Sequence, residues 1–158
     1  MDDFQNRNLL KINWERRFEP FHMNEKTAQA LIADFTDAKL LSLSLLSNGC
    51  ANTNYKIALD NKSTYVLRIY TRDSDAFYRE AALHKLLKSK VSIPSVFYTN
   101  DTRDKVPHPF AIMEFIDGLL MRDVILQGSP EDIGNCAFSA GACLSGLRKI
   151  TFNQPGFF

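Results

Sequence analysis

Leucines recur at every second position through KLLSLSLLS (39–47), where Leu41, Leu43 and Leu45 alternate with serines and a further leucine, and that period of two predicts a strand. NYKIALD (54–60) repeats the pattern with Tyr55, Ile57 and Leu59 on one side. DNKS (60–63) has the composition of a hairpin turn, and TYVLRIY (64–70) is rich in the β-branched and aromatic residues that suit a third strand. Together they read as an antiparallel meander. Ahead of it, residues 1–20 are polar and irregular and stop at Pro20, and TAQALIADF (27–35) has the spacing of a short helix.

The period then changes. TRDSD (71–75) offers Asp73, Ser74 or Asp75 as a helix N-cap, and residues 74–88 follow a helical pattern. On that helix Ala76, Glu80, Leu83 and Leu87 fall on one face, and Arg79, Lys85 and Lys88 fall elsewhere. VSIP ends at Pro94, SVFYTN (95–100) predicts a fourth strand, and DTRDKVPHP (101–109) is a polar turn. FAIMEFIDG (110–118) predicts a fifth strand over 110–115 that runs into a loop at Asp117 and Gly118. LLMRDVIL (119–126) has the length of one or two helical turns. Residues 129–150 predict a helix with Ser129 as N-cap, Pro130 at its first position, and Glu131 and Asp132 in its first turn.

Two charges interrupt these patterns. Arg68 stands in an apolar strand, and Glu80 stands on the apolar face of the next helix. A buried charge is costly unless it is paired, and these two can satisfy each other if the helix packs across the sheet. Such a pair is either purely structural or a positioned cation, held by a carboxylate, that binds an anion such as phosphate. Two further stretches fit the second reading. The loop SNGCANTN (47–54) is built of small and polar residues that let backbone N–H groups approach a phosphate. Met113, Glu114, Phe115 and Ile116 end the last strand like a hinge whose backbone groups are able to pair with an adenine edge.

Composition narrows the classes. The chain has 158 residues, of which 45% are hydrophobic and 23% charged, with a formal charge of +1, as expected of one ordinary globular domain. No Lys/Arg cluster suggests nucleic acid as a partner, and no apolar run reaches the length of a membrane span. The N-terminus lacks an apolar signal core, so a cytoplasmic location is expected. Cys50, Cys136 and Cys143 lack metal-ligand spacing, and Cys136 and Cys143 read as small core residues in a reducing compartment.

Several segments, taken in order, carry a resemblance. These are ANTNY (51–55), YVLRIY (65–70), YREAALHKLL (78–87), IPSVF (93–97) and IMEFIDG (112–118). The stretch from about 40 to 126 resembles the nucleotide-binding lobe of the protein-kinase-like phosphotransferases, and is most similar to the aminoglycoside phosphotransferase and choline-kinase-like family. LRKITFNQPGFF (147–158) is similar to the segment after that family's linker helix, although the family often has Leu-His where this chain has Leu147 and Arg148.

The resemblance implies an α+β fold: a protein-kinase-like N-terminal lobe with a five-stranded antiparallel sheet and one packed helix, plus an N-terminal helix and a C-terminal linker helix. Residues 1–38 would form an N-terminal extension, 39–117 the nucleotide-binding lobe, and 118–158 a hinge-linker and helix leading to a C-terminal lobe that is absent. It also implies ATP as cofactor. Backbone groups from Ser47, Asn48 and Gly49 to Asn52 would cover the phosphates, and Arg68, held by Glu80, would contact the α- and β-phosphates. Met113 would line the back of the adenine pocket, and the Glu114 carbonyl and Ile116 N–H would bond adenine.

The family's catalytic Asp, Asn and metal-binding Asp have no counterpart here. Arg122-Asp123 superficially resembles a catalytic loop, but the position of the required Asn is Gly128. His22, His84 and His108 lie in no catalytic motif. The expectation is therefore an ATP-binding lobe, inactive alone, with magnesium required only in a complete two-lobe enzyme. Its partners would be a nucleotide and either the missing lobe or a second copy through the exposed hinge face, with neither nucleic acid nor membrane. The alternatives are a non-catalytic nucleotide- or protein-binding module with the same fold, and an unrelated α+β domain with a structural Arg–Glu pair.

Overall fold

Asn24 accepts a hydrogen bond from the Thr27 N–H at 2.8 Å, and this cap starts the first helix, α1 (Glu25–Ile32). A computed structural model of the chain describes residues 19–46, 51–148 and 150–153. After α1 the elements run β1 (Leu40–Leu46), β2 (Thr53–Leu59), β3 (Thr64–Ile69), α2 (Asp75–Leu87), β4 (Val96–Asn100), β5 (Phe110–Glu114), α3 (Met121–Gln127) and α4 (Pro130–Leu147). Each expected strand and helix is present, with ends that coincide or shift by up to three residues, the usual fraying of element boundaries.

The chain divides into two compact units. One holds α1, the whole sheet and the first part of α2; the other holds the last part of α2 with residues 83–93, together with α3 and α4. In the first unit the five strands are antiparallel in the order β1-β2-β3-β5-β4. The two-residue period sorts them into two faces. Tyr55, Ile57 and Leu59 of β2 share the main core with Leu67 and Ile69 of β3 and Phe110 and Ile112 of β5. Leu31 and Ile32 of α1 close that core. The opposite face carries Asn54, Lys56, Val66, Arg68, Ala111 and Met113, aligned by register: Asn54 opposes Arg68, which opposes Ala111, and Lys56 opposes Val66, which opposes Met113.

Two bulges change the expected facing. Leu40 pairs with Leu59 and Ser42 with Ala58, so β1 carries one extra residue at Leu41. The bulge lets Leu40 and Leu43 both pack against the core, and Leu41 is 67% exposed instead of sharing the face of Leu43. In β4, Val96 pairs with Met113 and Tyr98 with Ile112, and the bulge at Phe97 sends Val96 and Tyr98 to opposite faces.

Of the three candidate caps for α2, Asp73 serves: its carboxylate accepts from the Asp75 N–H at 2.9 Å and also pairs with Arg79. That ion pair holds the Asp73 carboxyl below its ordinary range. Phe77 then packs edge-on against Tyr70 with ring centroids 5.3 Å apart, and with Ala111 these residues form a second small core. In the other unit, Ser129 and Asp132 make a reciprocal capping box, the Ser129 side chain accepting from the Asp132 N–H at 3.1 Å and the Asp132 carboxylate accepting from the Ser129 N–H at 3.0 Å. Gly146 lets α4 lie against the turn after α2, since a Cβ there would sit 3.1 Å from Val91 Cγ1. Cys136 and Cys143 do not lie in a core. No residue of α4 is buried, so Cys136 is only half-buried and Cys143 is exposed. Cys50 lies outside the described residues.

Candidate functional site

Arg68 and Glu80 meet. The Arg68 Nη2–H donates to Glu80 Oε1 at 2.6 Å, with side chains 27% and 37% exposed. The contact follows from the two elements. Strand alternation puts Arg68 on the face opposite the main core, and the packing of Phe77 on Tyr70 brings the first turns of α2 over that face, with Glu80 one turn beyond. The other carboxylate oxygen, Oε2, accepts from the Tyr70 hydroxyl at 2.9 Å. The Arg68 guanidinium carbon lies 5.4 Å from the Tyr70 ring centroid, within cation–π range. Burial, then the nearby Glu80 carboxylate, push the Tyr70 phenol well above its ordinary range, so it remains a neutral donor at physiological pH.

One buried donor of Arg68 is unsatisfied. Its Nε is buried and has no hydrogen-bond partner among the described residues, and the same is true of Oδ1 of Asn54, directly opposite on β2. A buried donor and a buried acceptor, unsatisfied and side by side, leave hydrogen-bonding capacity for a ligand or water. Along the same face, one strand pair further on, Val66 and Met113 oppose each other and present an apolar floor next to this polar cluster. Lys56 lies beside Val66, and its Nζ sits 4.1 Å from the centroid of the Phe115 ring. A cation, an apolar patch and unsatisfied polar groups on one face suit a ligand that is part anionic and part flat and apolar.

The other predicted residues fall as follows. Met113 is half-buried and packs with Val96 on the second core. Glu114 accepts through its carboxylate from the Ser95 N–H at 2.9 Å, and its own N–H donates to the Ser95 carbonyl at 2.8 Å, which ties the end of β5 to β4. Ile116 is 61% exposed, and its N–H has no partner among the described residues. Asn52 is buried where the chain enters β2. Ser47, Asn48 and Gly49 lie outside the described residues. Tyr70, Val66, Asn54 and Lys56 also lie on this face, beyond the residues the sequence marks. Positions 66 and 70 are two residues either side of Arg68, so the strand period alone puts them on its face. A separate cavity of about 430 Å³, lined by Glu19, Pro20, Phe21, Thr71, Arg72 and His108, contains none of these residues.

An antiparallel five-stranded sheet with one helix that delivers a carboxylate to a basic residue on the third strand is the N-terminal lobe of a protein-kinase-like phosphotransferase. The sequence model described as the Phosphotransferase enzyme family (APH) matches residues 42–158, most of the chain, and the protein belongs to that family. Among solved structures, that of the streptomycin-ATP-APH(2")-IIa ternary complex aligns with 84% of this chain and 42% of its own, at 22% identity and a TM-score of 0.57, which supports the shared fold. The crystal structure of a putative aminoglycoside phosphotransferase from Ralstonia eutropha JMP134 aligns with 62% of this chain and 29% of its own, at 20% identity and a TM-score of 0.49. A curated relative, "Altered inheritance of mitochondria protein 9, mitochondrial" of Meyerozyma guilliermondii, is 32% identical over 101 residues. That alignment covers 58% of this chain but only 17% of the relative, so the chain spans about a sixth of that protein's length.

Proposed function

We propose that this chain is the ATP-binding lobe of a small-molecule phosphotransferase of the aminoglycoside or choline type, and that it transfers no phosphate by itself. The Arg68–Glu80 contact carries this reading: the cation is held on the same sheet face as Val66 and Met113, one strand pair from the segment that leads to Ile116. In this reading the Arg68 guanidinium binds the α- and β-phosphates and Glu80 keeps it aimed. Adenine lies on Val66 and Met113, with its edge toward the Glu114 carbonyl and the Ile116 N–H. The general base that orients an acceptor hydroxyl, and the residues that hold magnesium, belong to the second lobe of a complete enzyme.

Calorimetric titration of ATP into the purified chain tests the proposal. The unaltered chain is expected to bind ATP, and Arg68→Ala to weaken it about tenfold, the loss of a charge-assisted contact to phosphate. Equal affinity in both chains, or no binding to either, would favour a non-catalytic module.

The partner follows from the surface. Leu119 is 82% exposed, Phe138 80% and Leu144 65%. We propose that these side chains are covered by the second lobe in a complete enzyme and drive self-association of the isolated chain. Light scattering is expected to show a mass that rises with concentration, and a constant monomer mass across a hundredfold range would refute it. No helix among the described residues is long and apolar enough to cross a membrane. Cys136 and Cys143, both free thiols, suit the reducing cytoplasm as the proposed location, which imaging of a tagged chain in cells would check.

A further inference from the structure

We infer that Tyr70 is a positioning residue of the site, acting through Glu80 to hold the Arg68 guanidinium in its ligand-facing pose. Three observations carry this. The two oxygens of the Glu80 carboxylate are divided, Oε1 to Arg68 and Oε2 to the Tyr70 hydroxyl, so both ends of the carboxylate are anchored. A carboxylate held at one oxygen only is free to rotate about its last torsion, and the arginine follows it. Second, Tyr70 is 3% exposed, and its ring already packs against Phe77 at 86°, a role a phenylalanine would fill equally well. The hydroxyl adds nothing to that packing and costs desolvation unless it is bonded; Glu80 is the partner that makes it tolerable. Third, the same ring lies 5.4 Å from the Arg68 guanidinium carbon and limits where the guanidinium can move. One Arg68 nitrogen is thus on Glu80 and the guanidinium lies near the Tyr70 ring, while its Nε stays buried and unbonded on the strand position that opposes Asn54.

The effect on a ligand rests on the nucleotide reading above, but the effect on Arg68 does not, and the two are measured separately. Tyr70→Phe in the full chain removes only the hydroxyl. In the unaltered chain, proton NMR is expected to show a slowly exchanging Tyr70 hydroxyl proton, assigned by its loss in Tyr70→Phe, and nitrogen-15 NMR separate Arg68 Nη signals from hindered guanidinium rotation, assigned by their loss in Arg68→Lys. In Tyr70→Phe, with the backbone amide spectrum otherwise kept, the Arg68 Nη signals are expected to merge. ATP affinity should fall about fivefold, the loss of one hydrogen bond to a charged group, with adenosine affinity unchanged because adenosine has no phosphate. Unchanged Arg68 signals in Tyr70→Phe, or a freely exchanging hydroxyl in the unaltered chain, would overturn the inference. An equal loss of ATP and adenosine binding would also overturn it, since that marks a merely structural role. If ATP binds neither chain, the nucleotide reading fails, while the Arg68 signals still decide the role of Tyr70.

Discussion

Leu67→Ala is expected to lower the unfolding free energy by about 3 kcal/mol, in the middle of the range for leucine truncation in a core. Leu67 is fully buried at the centre of β3, the middle strand of the sheet. It lies opposite Tyr55 on one side and Ile112 on the other, and both belong to the main core. Those neighbours are fixed by strand hydrogen bonds and cannot collapse fully into the space, so both the lost burial and the cavity contribute. Urea unfolding followed by circular dichroism measures the change, and the slope with denaturant should stay the same. A loss below about 1 kcal/mol would mean that Leu67 does not face a packed core. The same strand carries Val66 and Arg68 on its other face, so the core and the site share one backbone.

The second large effect separates a structural ion pair from a functional one. Glu80→Ala leaves two groups without a partner: the Arg68 guanidinium and the Tyr70 hydroxyl. A fully dry site would raise the cost of breaking the pair to about 3–5 kcal/mol, but Arg68 is 27% and Glu80 37% exposed, and water reduces it. With the buried phenol included, the expected loss is about 2 kcal/mol. Arg68→Ala costs less stability, about 1 kcal/mol, because Tyr70 still donates to the remaining carboxylate. Nucleotide affinity should rank the other way, since in the proposed mode Arg68 touches the phosphates and Glu80 only aims it. The inverse ranking in urea unfolding and ATP titration is the expected result. If both variants lose stability and neither loses affinity, the pair is structural only.

Much of this arrangement is readable from the order of residues, for a physical reason. A half-buried strand repeats every two residues, so Tyr55, Ile57 and Leu59 declare their face. Arg68 and Glu80 stand out because each breaks an apolar pattern that burial would otherwise impose. The bulges at Leu41 and Phe97 leave no such trace, because an extra residue changes facing without changing composition. The period of two therefore misplaces Leu41. The role of Tyr70 is not legible in the sequence for a different reason. Its hydroxyl finds Glu80 only because α2 crosses the sheet at a particular angle, which packing sets and no local pattern encodes. The apolar content of α4 predicts a buried Cys143, but the helix buries none of its residues.

The most direct measurement is to add ATP to the nitrogen-15-labelled chain and map which backbone amides shift. Binding in the proposed mode predicts shifts clustered on Val66, Arg68, Met113 and Ile116, with little change in α1 or at Ile57, Leu59 and Leu67 on the core face. Arg68→Ala should reduce the shifts at every one of these positions for the same added ATP. Absence of any shift at saturating ATP, or shifts centred on α1 and the core face, would contradict a nucleotide site built around Arg68 and Glu80.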